Sequence, residues 1–177
     1  MDHIIIEGFI GSGKGAVARG VGKKLELPVV DVDRRVADRL KMTTAEIYDR
    51  FGEPYYRAME TLILSELLDA KKRCVIVLGS GVAMMPQNAE YLKELGTVYY
   101  IKLKQQTILD NMRTSSKHDW IRPDGWDEQV TRIYKEREPA YKKTANVTIN
   151  AEGKTTEKLV DKIAAEDKKR HAEPEED

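Results

Sequence analysis

Short apolar runs alternate with longer segments of helical periodicity along the whole chain. The apolar runs predict five strands, at residues 4–6, 29–33, 74–78, 97–103 and 146–150. Between them, apolar residues recur every three to four positions and predict helices at residues 14–25, 43–51, 54–70, 87–95, 105–112, 127–143 and 155–169. This alternation predicts a three-layer α/β/α fold around a five-stranded parallel sheet. We expect a single domain at residues 1–170 and a disordered acidic tail at residues 171–177.

A glycine-rich loop follows the first predicted strand. Gly8, Gly13 and Lys14 match the phosphate-binding pattern G-x-x-x-x-G-K-[ST]. The last position of the pattern is occupied by Gly15, which lacks the hydroxyl expected to hold Mg²⁺. A strand before the loop and a helix after it favour a phosphate site over the alternative, a chance glycine cluster. The predicted nucleotide contacts are Gly11, Ser12, Gly13, Lys14, Gly15 and Ala16.

Three short clusters are further candidates for ligand contacts. Asp31 and Asp33 stand at the carboxyl end of the second predicted strand, where i and i+2 side chains share a face; solvated turn acids are the alternative. Arg57 and Glu60 lie three apart on a predicted helix, a spacing that more often gives a surface salt bridge than a site. The turn at residues 79–81, Gly-Ser-Gly, would let a ligand approach the backbone or would simply join strand and helix.

Residues 113–126 follow neither a helical nor a strand pattern. Their sequence, RTSSKHDWIRPDGW, mixes Ser, Asp, Gly and Pro with basic residues and two tryptophans. Such a composition is typical of mobile lids over active sites, and equally of ordinary surface loops.

Composition limits the possible partners and locations. The 177 residues include 30 basic and 30 acidic side chains, so no global field favours nucleic acid or an anionic membrane. Cys74 is the single cysteine and falls in an apolar run, which predicts a buried thiol and no internal disulfide. The sequence shows no stretch long enough for a membrane span and no secretory leader pattern. We expect a cytoplasmic protein.

The order of these pieces resembles that of the shikimate kinases, a family of small P-loop kinases, over residues 4–163. The resemblance rests on Asp31 with Asp33, on the segments GEPYYRAME at residues 52–60 and REPAY at residues 137–141, on the turn at residues 79–81 and on Arg122-Pro123. It implies ATP-dependent phosphorylation of the shikimate 3-hydroxyl, giving shikimate 3-phosphate and ADP, with Mg²⁺ as the metal.

The resemblance also implies a role for each matching residue. Asp33 would hold the attacking hydroxyl and accept its proton, and Asp31 would help to hold Mg²⁺ through water. The implied catalytic residues are Asp33, Lys14 and Arg122. The implied substrate contacts are Asp33, Arg57, Glu60, Gly79, Ser80, Gly81 and Arg137, with the two arginines on the substrate carboxylate. Implied nucleotide contacts outside the loop are Arg113, beside the adenine, and Arg122.

The chain departs from the family pattern at three places. Gly15 and Ala16 replace a Ser-Thr pair, Ser80 replaces a middle glycine, and residues 124–126 follow Arg122-Pro123 where the family has two leucines. These departures leave two alternatives: a related kinase for another hydroxy acid, or a nucleotide-binding protein with impaired catalysis. We expect a monomer that binds a small molecule, and no nucleic-acid or membrane partner.

Overall fold

A computed structural model of the chain describes residues 2–114 and 125–172. Its elements, in chain order, are β1 (His3–Glu7), α1 (Lys14–Leu25), β2 (Val29–Asp31), α2 (Val32–Leu40), α3 (Thr44–Phe51), α4 (Glu53–Leu67), β3 (Val75–Val77), a 3₁₀ turn (Val82–Met84), α5 (Asn88–Leu95), β4 (Gly96–Lys102), α6 (Gln105–Arg113), α7 (Trp126–Thr144), β5 (Val147–Asn150) and α8 (Thr156–Ala172).

The five strands form one parallel sheet in the order β2-β3-β1-β4-β5. β1 is the central strand, and successive residues of it belong to different cores. Ile4 and Ile6 pack in one apolar cluster and Ile5 in the other. Because side chains alternate across a strand, helices cover both faces of the sheet. The predicted three-layer fold with a five-stranded parallel sheet is confirmed.

The second strand is shorter than predicted, and a helix follows it at once. β2 ends at Asp31, whose Oδ1 accepts a hydrogen bond of 3.1 Å from the amide of Arg34 and so caps α2. Asp33 therefore lies in the first turn of a helix, and the prediction that both acids share a strand face is wrong. The capping bond outweighs the strand preference of the β-branched Val32.

Other helix boundaries differ by smaller amounts. The predicted capping box is confirmed: the Glu46 amide donates to Thr43 Oγ1 (3.2 Å) and the Thr43 amide donates to Glu46 Oε2 (2.7 Å). α4 ends at Leu67, three residues before the predicted end. The predicted tail is wrong at its first two residues, because α8 continues through His171 to Ala172. The remaining tail residues, 173–177, lie outside the described residues.

Cys74 is 3% exposed, which confirms its predicted burial. Its amide donates to Nδ1 of His3 over 3.1 Å at the start of the sheet. Across residues 2–114 and 125–172, no helix combines the length and the apolar character that crossing a membrane requires.

Candidate active site

The loop between β1 and α1 forms an open cradle. Gly11 and Gly13 have φ values of +80° and +79°, a left-handed conformation that favours glycine. Gly13 caps α1, and the amides of Ala16 and Val17 donate to its carbonyl oxygen. A Cβ atom at Gly13 would meet nothing within 4 Å. The positive end of α1 thus faces a space suited to phosphate oxygens.

Ser12 is the loop residue that turns away from this space. Its side chain is 5% exposed, and its amide donates to the Phe9 carbonyl over 3.1 Å. Its Oγ lies 2.8 Å from the position that a Cβ of Gly8 would take, and within the described residues it has no hydrogen-bond partner. Both the amide and the hydroxyl of Ser12 point into the protein. The contact between Ser12 and a nucleotide stays a prediction.

Lys14 shares one cavity with Asp31 and Asp33. Burial lowers the pKa of the Lys14 ammonium, while the neighbouring carboxylates of Asp33 and Asp31 raise it. The carboxyl end of β2 therefore brings two negative charges to the amino end of α1, as the α/β topology requires. Lys14 is placed to bind the oxygens of a phosphate in this cavity.

Asp33 is held by a buried tyrosine. The hydroxyl of Tyr56, a residue 2% exposed, donates to Oδ1 of Asp33 over 2.7 Å. Burial raises the pKa of the Tyr56 phenol, and the charge of Asp33 raises it further. Tyr56 is therefore a permanent donor that orients the carboxylate. One oxygen of Asp33 is fixed in this way, and Asp33 lines the cavity in which a ligand hydroxyl would bind.

Arg57 is buried in an ion-pair cluster. Its Nη1 donates to Glu60 Oε2 (2.6 Å), and its Nη2 donates to Glu53 Oε1 (3.0 Å) and to the Tyr48 hydroxyl (2.9 Å). Arg57 is 7% exposed and Glu60 is fully buried. The two residues do form an ion pair, but the prediction that it lies at the surface is wrong. Two carboxylates already balance the Arg57 charge before any ligand arrives.

The turn after β3 packs directly on these charged groups. A Cβ atom at Gly79 would lie 2.3 Å from Glu60 Oε1 and 2.5 Å from Asp33 Oδ1. At Gly81 it would lie 2.2 Å from Cζ of Arg57. Both positions require glycine because no side chain fits there. The interpretation that residues 79–81 merely join strand and helix does not explain this close approach.

Glu60 carries a perturbed carboxyl group inside the cluster. Burial raises its pKa to about 7, with the charge of Asp33 acting in the same direction and that of Arg57 opposing. Its Oε1 is buried and finds no hydrogen-bond partner within the described residues. A carboxyl group that titrates near neutral pH beside a second carboxylate is typical of an active site.

Arg137 reaches the same turn from α7. Its Nη1 donates to Oγ of Ser80 over 2.6 Å, and its guanidinium lies 5.9 Å from the ring centre of Phe9. The hydroxyl of Tyr141, one helical turn on, donates to the Ser80 carbonyl oxygen. Arg137 is 7% exposed, and no carboxylate in the described parts of the chain forms an ion pair with it. It is therefore a buried cation without a direct ion pair in the described residues, although its charge acts on the nearby Glu60.

Most of these groups line a cavity of about 480 Å³. Arg137 does not line it directly and lies behind Ser80, which does. The phosphate loop lies at one side of the cavity, and Asp33, Arg57, Glu60 and Ser80 line the other. Residues that the sequence did not single out also line it: Ile10, Arg19, Thr44 and Tyr48. No spacing rule points to Tyr48, because the glycine break at Gly52 separates its helix from that of Arg57.

Among the described residues, two predicted nucleotide contacts, Ser12 and Arg113, do not line this cavity. Arg113 pairs with Asp110 (3.1 Å) and Asp127 (2.5 Å), and its guanidinium lies 5.8 Å from the ring centre of Trp126. Its position beside an adenine stays a prediction. Arg122 and most of the predicted lid, residues 115–124, lie outside the described residues.

Comparisons with known proteins identify the family. The family model for shikimate kinase matches residues 10–168. The chain belongs to the shikimate kinase family. It is 31% identical over 166 residues to a shikimate kinase of Thermodesulfovibrio yellowstonii, covering 94% of this chain and 95% of the relative.

Two solved structures have the same fold. A shikimate kinase from Acinetobacter baumannii in complex with shikimate superposes with a TM-score of 0.90 at 24% identity, covering 98% of this chain and 96% of that one. A shikimate kinase from Aquifex aeolicus gives a TM-score of 0.81 at 26% identity, covering 96% and 98%. The resemblance read from the sequence is confirmed, and this shikimate kinase family member is a phosphotransferase with an alcohol acceptor.

One departure from the shikimate kinase pattern has a visible neighbour. A Cβ atom at Gly15 would lie 3.5 Å from Nη1 of Arg19, at ordinary contact distance, so the position has room for a side chain. Gly15 and Arg19 line the cavity together with Asp31. In the described residues, no group of three or more His, Cys, Asp or Glu side chains forms a metal site.

Proposed function

We propose that this chain transfers the γ-phosphoryl group of ATP to the 3-hydroxyl of shikimate, giving shikimate 3-phosphate and ADP. Family membership supports this reaction. The observation that carries it is one cavity in which a phosphate loop, a tyrosine-held aspartate and a buried arginine meet. Such a cavity has room for a nucleotide phosphate and a small hydroxy acid side by side.

The nucleotide binds at the phosphate loop. The amino end of α1 and Lys14 bind and neutralise the phosphate oxygens. Asp31 faces the same space, and its Oδ1 is engaged in capping α2. Gly15 contributes no hydroxyl as a direct ligand for Mg²⁺. The residues present fit Mg²⁺ that is held at Asp31 through water. Mg²⁺, when bound with ATP, neutralises charge on the β- and γ-phosphates.

Asp33 serves the acceptor hydroxyl. Its carboxylate takes the hydroxyl proton while the oxygen forms a bond to the γ-phosphorus and the bond to the β-phosphate oxygen breaks. The Tyr56 hydroxyl holds the carboxylate in one orientation during this step. ADP leaves with the electron pair of the broken bond. Lys14 neutralises the charge that develops on the transferred group.

The substrate carboxylate binds between the two arginines. Arg137 has no direct ion pair within the described residues, whereas Arg57 is paired with Glu60 and Glu53. A carboxylate supplied by the substrate would neutralise Arg137 and remove the cost of a buried unpaired cation. The turn at residues 79–81 would meet the substrate ring, since it lies against Asp33 and Arg57.

The test is ADP release by the purified protein with ATP and Mg²⁺, with and without shikimate. We expect release that depends on shikimate and is lost in Lys14→Met. Asp33→Asn should lower kcat by about 10²- to 10⁴-fold while ATP binding is kept. Shikimate-independent release, or a higher kcat/KM for another hydroxy acid, would overturn the assignment.

The altered phosphate loop favours one second candidate, a nucleotide-binding protein with impaired catalysis. The observation that favours this candidate is that Gly15 has no hydroxyl. The tyrosine-held Asp33 and the buried Arg137 count against it, because a protein that only binds nucleotide has no chemical need for either group. ATP binding without turnover of any hydroxy acid would support this candidate.

We further propose a cytoplasmic monomer. ATP as the phosphoryl donor and a single buried thiol support the location. Balanced charge supports the absence of a nucleic-acid partner. Light scattering of the purified protein at several concentrations tests the monomer, and a mass of about twice 20.2 kDa would contradict it.

A further inference from the structure

Ser80 is the residue through which the free protein holds Arg137. Its side-chain hydroxyl accepts from Arg137 Nη1 at 2.6 Å, and its carbonyl oxygen accepts from the Tyr141 hydroxyl. Both donors come from α7, one helical turn apart. The middle of the turn is thus tied to α7, while Gly79 and Gly81 on either side pack on the groups presented by α2 and α4.

A hydroxyl has a different effect on an arginine from that of a carboxylate. Glu60 and Glu53 fix Arg57 and also cancel its charge. Ser80 fixes one nitrogen of Arg137 and leaves the charge unchanged, because a hydroxyl is a neutral acceptor. The guanidinium carries five N–H donors in a rigid plane, so fixing one of them orients the others.

The Ser80 hydroxyl also has a proton to give. Its oxygen accepts from Arg137, and Ser80 lines the cavity. A carboxylate bound by Arg137 therefore lies next to the Ser80 hydroxyl. One carboxylate oxygen can accept from the guanidinium and from Ser80 together, and hydrogen bonds to a charged group are stronger than neutral ones.

We propose that Ser80 is a positioning residue that orients the Arg137 guanidinium for the carboxylate of the substrate and so sets the affinity for that carboxylate. The inference rests on the proposed function, which supplies the carboxylate. A glycine at this position, the residue of the family pattern, has no side chain to hold the guanidinium. Ser80 thereby links substrate affinity to the packing of α7.

The test compares the steady-state kinetics of wild type, Ser80→Ala and Ser80→Thr. Loss of a hydrogen bond to a charged group predicts a rise of roughly tenfold in KM for shikimate in Ser80→Ala. Chemistry at Asp33 is not touched, so kcat should change by less than about twofold and KM for ATP should stay constant. Ser80→Thr, which keeps the hydroxyl, should recover most of the affinity. Ser65→Ala is the matched control, because Ser65 Oγ donates to the Leu62 carbonyl at an exposed position of α4, outside the residues that line the cavity.

Two further arms separate positioning from general damage to the fold. In an Arg137→Ala background, Ser80→Ala should add no further rise in KM, since nothing remains to be oriented. With the methyl ester of shikimate, which has no charged carboxylate, wild type and Ser80→Ala should have the same KM. An equal penalty for the acid and for the ester, or a full penalty in the Arg137→Ala background, would overturn the positioning role.

The failure of this inference can be told from that of the proposed function. Wild-type turnover of shikimate with an unchanged KM in Ser80→Ala would overturn the role of Ser80 alone. No binding and no turnover of shikimate by wild type would overturn both the function and the inference.

Discussion

Glu7, the last residue of β1, is buried, and we expect its ionisation to make the free energy of unfolding depend on pH. It is 1% exposed, and burial raises its pKa to about 8. Its Oε1 lies 2.7 Å from the Thr144 hydroxyl, and within the described residues its buried Oε2 has no partner. Thr144 has one proton and also lies 3.0 Å from the Ala140 carbonyl. The Thr144 hydroxyl donates to Oε1 of Glu7 and lowers its pKa by less than burial raises it, so the uncharged form of Glu7 is favoured in the folded protein near pH 7.

The direction and size of the effect follow from proton linkage. The folded-state pKa of about 8 is higher than the ordinary value of 4.5, so the folded protein binds this proton more tightly. Stability from neutral Glu7 is complete below pH 4.5 and is lost as the pH rises to about 8. At about 1.4 kcal/mol per pH unit, the whole loss is about 5 kcal/mol. Roughly half of it, about 2 to 3 kcal/mol, falls between pH 6 and pH 9.

Urea unfolding of wild type and Glu7→Gln at pH values from 6 to 9 measures this loss. Gln keeps the shape and cannot ionise, so the free energy of unfolding of the variant should gain on that of wild type by about 2 to 3 kcal/mol across this range. Other titrating groups, such as Glu60, are present in both proteins and cancel in the difference. Glu90→Gln, at an exposed helix position, should follow wild type. Parallel curves for wild type and Glu7→Gln would refute the reasoning.

Three other outcomes follow from single positions. Gly79→Ala should abolish turnover, because its Cβ would lie within 2.5 Å of two active-site carboxylate oxygens. The control Gly153→Ala meets no atom within 4 Å and should keep full kcat. Equal kcat in the two variants would contradict this prediction. Gly15→Ser should raise kcat about tenfold or more and lower the Mg²⁺ needed for half-maximal rate, since a hydroxyl has room there; an unchanged Mg²⁺ titration would contradict it. Asp167→Ala leaves Arg73 without its ion-pair partner at a largely buried site. The free energy of unfolding in urea should fall by about 3 kcal/mol, with kcat retained. A fall of less than about 1 kcal/mol would show that the pair is solvent-screened.

The sequence was sufficient for the sheet, since long apolar runs such as residues 74–78 have few alternatives to a buried strand. It was not sufficient for α2, where one capping bond from Asp31 decides against the strand preference of Val32. The glycines at residues 79 and 81 are visible in the sequence, but the reason for them is a close approach to groups from distant helices.

The difference between the two arginines could not be predicted from sequence either. Both occur in family-like motifs with nearby acidic residues. Only the folded chain shows that Arg57 is balanced by Glu53 and Glu60, while Arg137 is held by the neutral Ser80. The partners of Arg57 lie within one helical turn of it, but their burial depends on the fold. The contact of Arg137 with Ser80 joins distant parts of the chain, which local spacing rules do not describe.

The place of β2 in the sheet has a consequence for local motion. β2 has three residues, pairs with β3 on one side only, and starts with the exposed Val29. Opening of such an edge breaks few backbone bonds and exposes little apolar surface, so it costs less free energy than global unfolding. Asp31 and Asp33 follow directly from this edge, whereas the phosphate loop follows from the fully buried β1. Amide hydrogen exchange should therefore be faster at β2 than at β1, and a ligand that bridges the loop and Asp33 should slow it most at the edge.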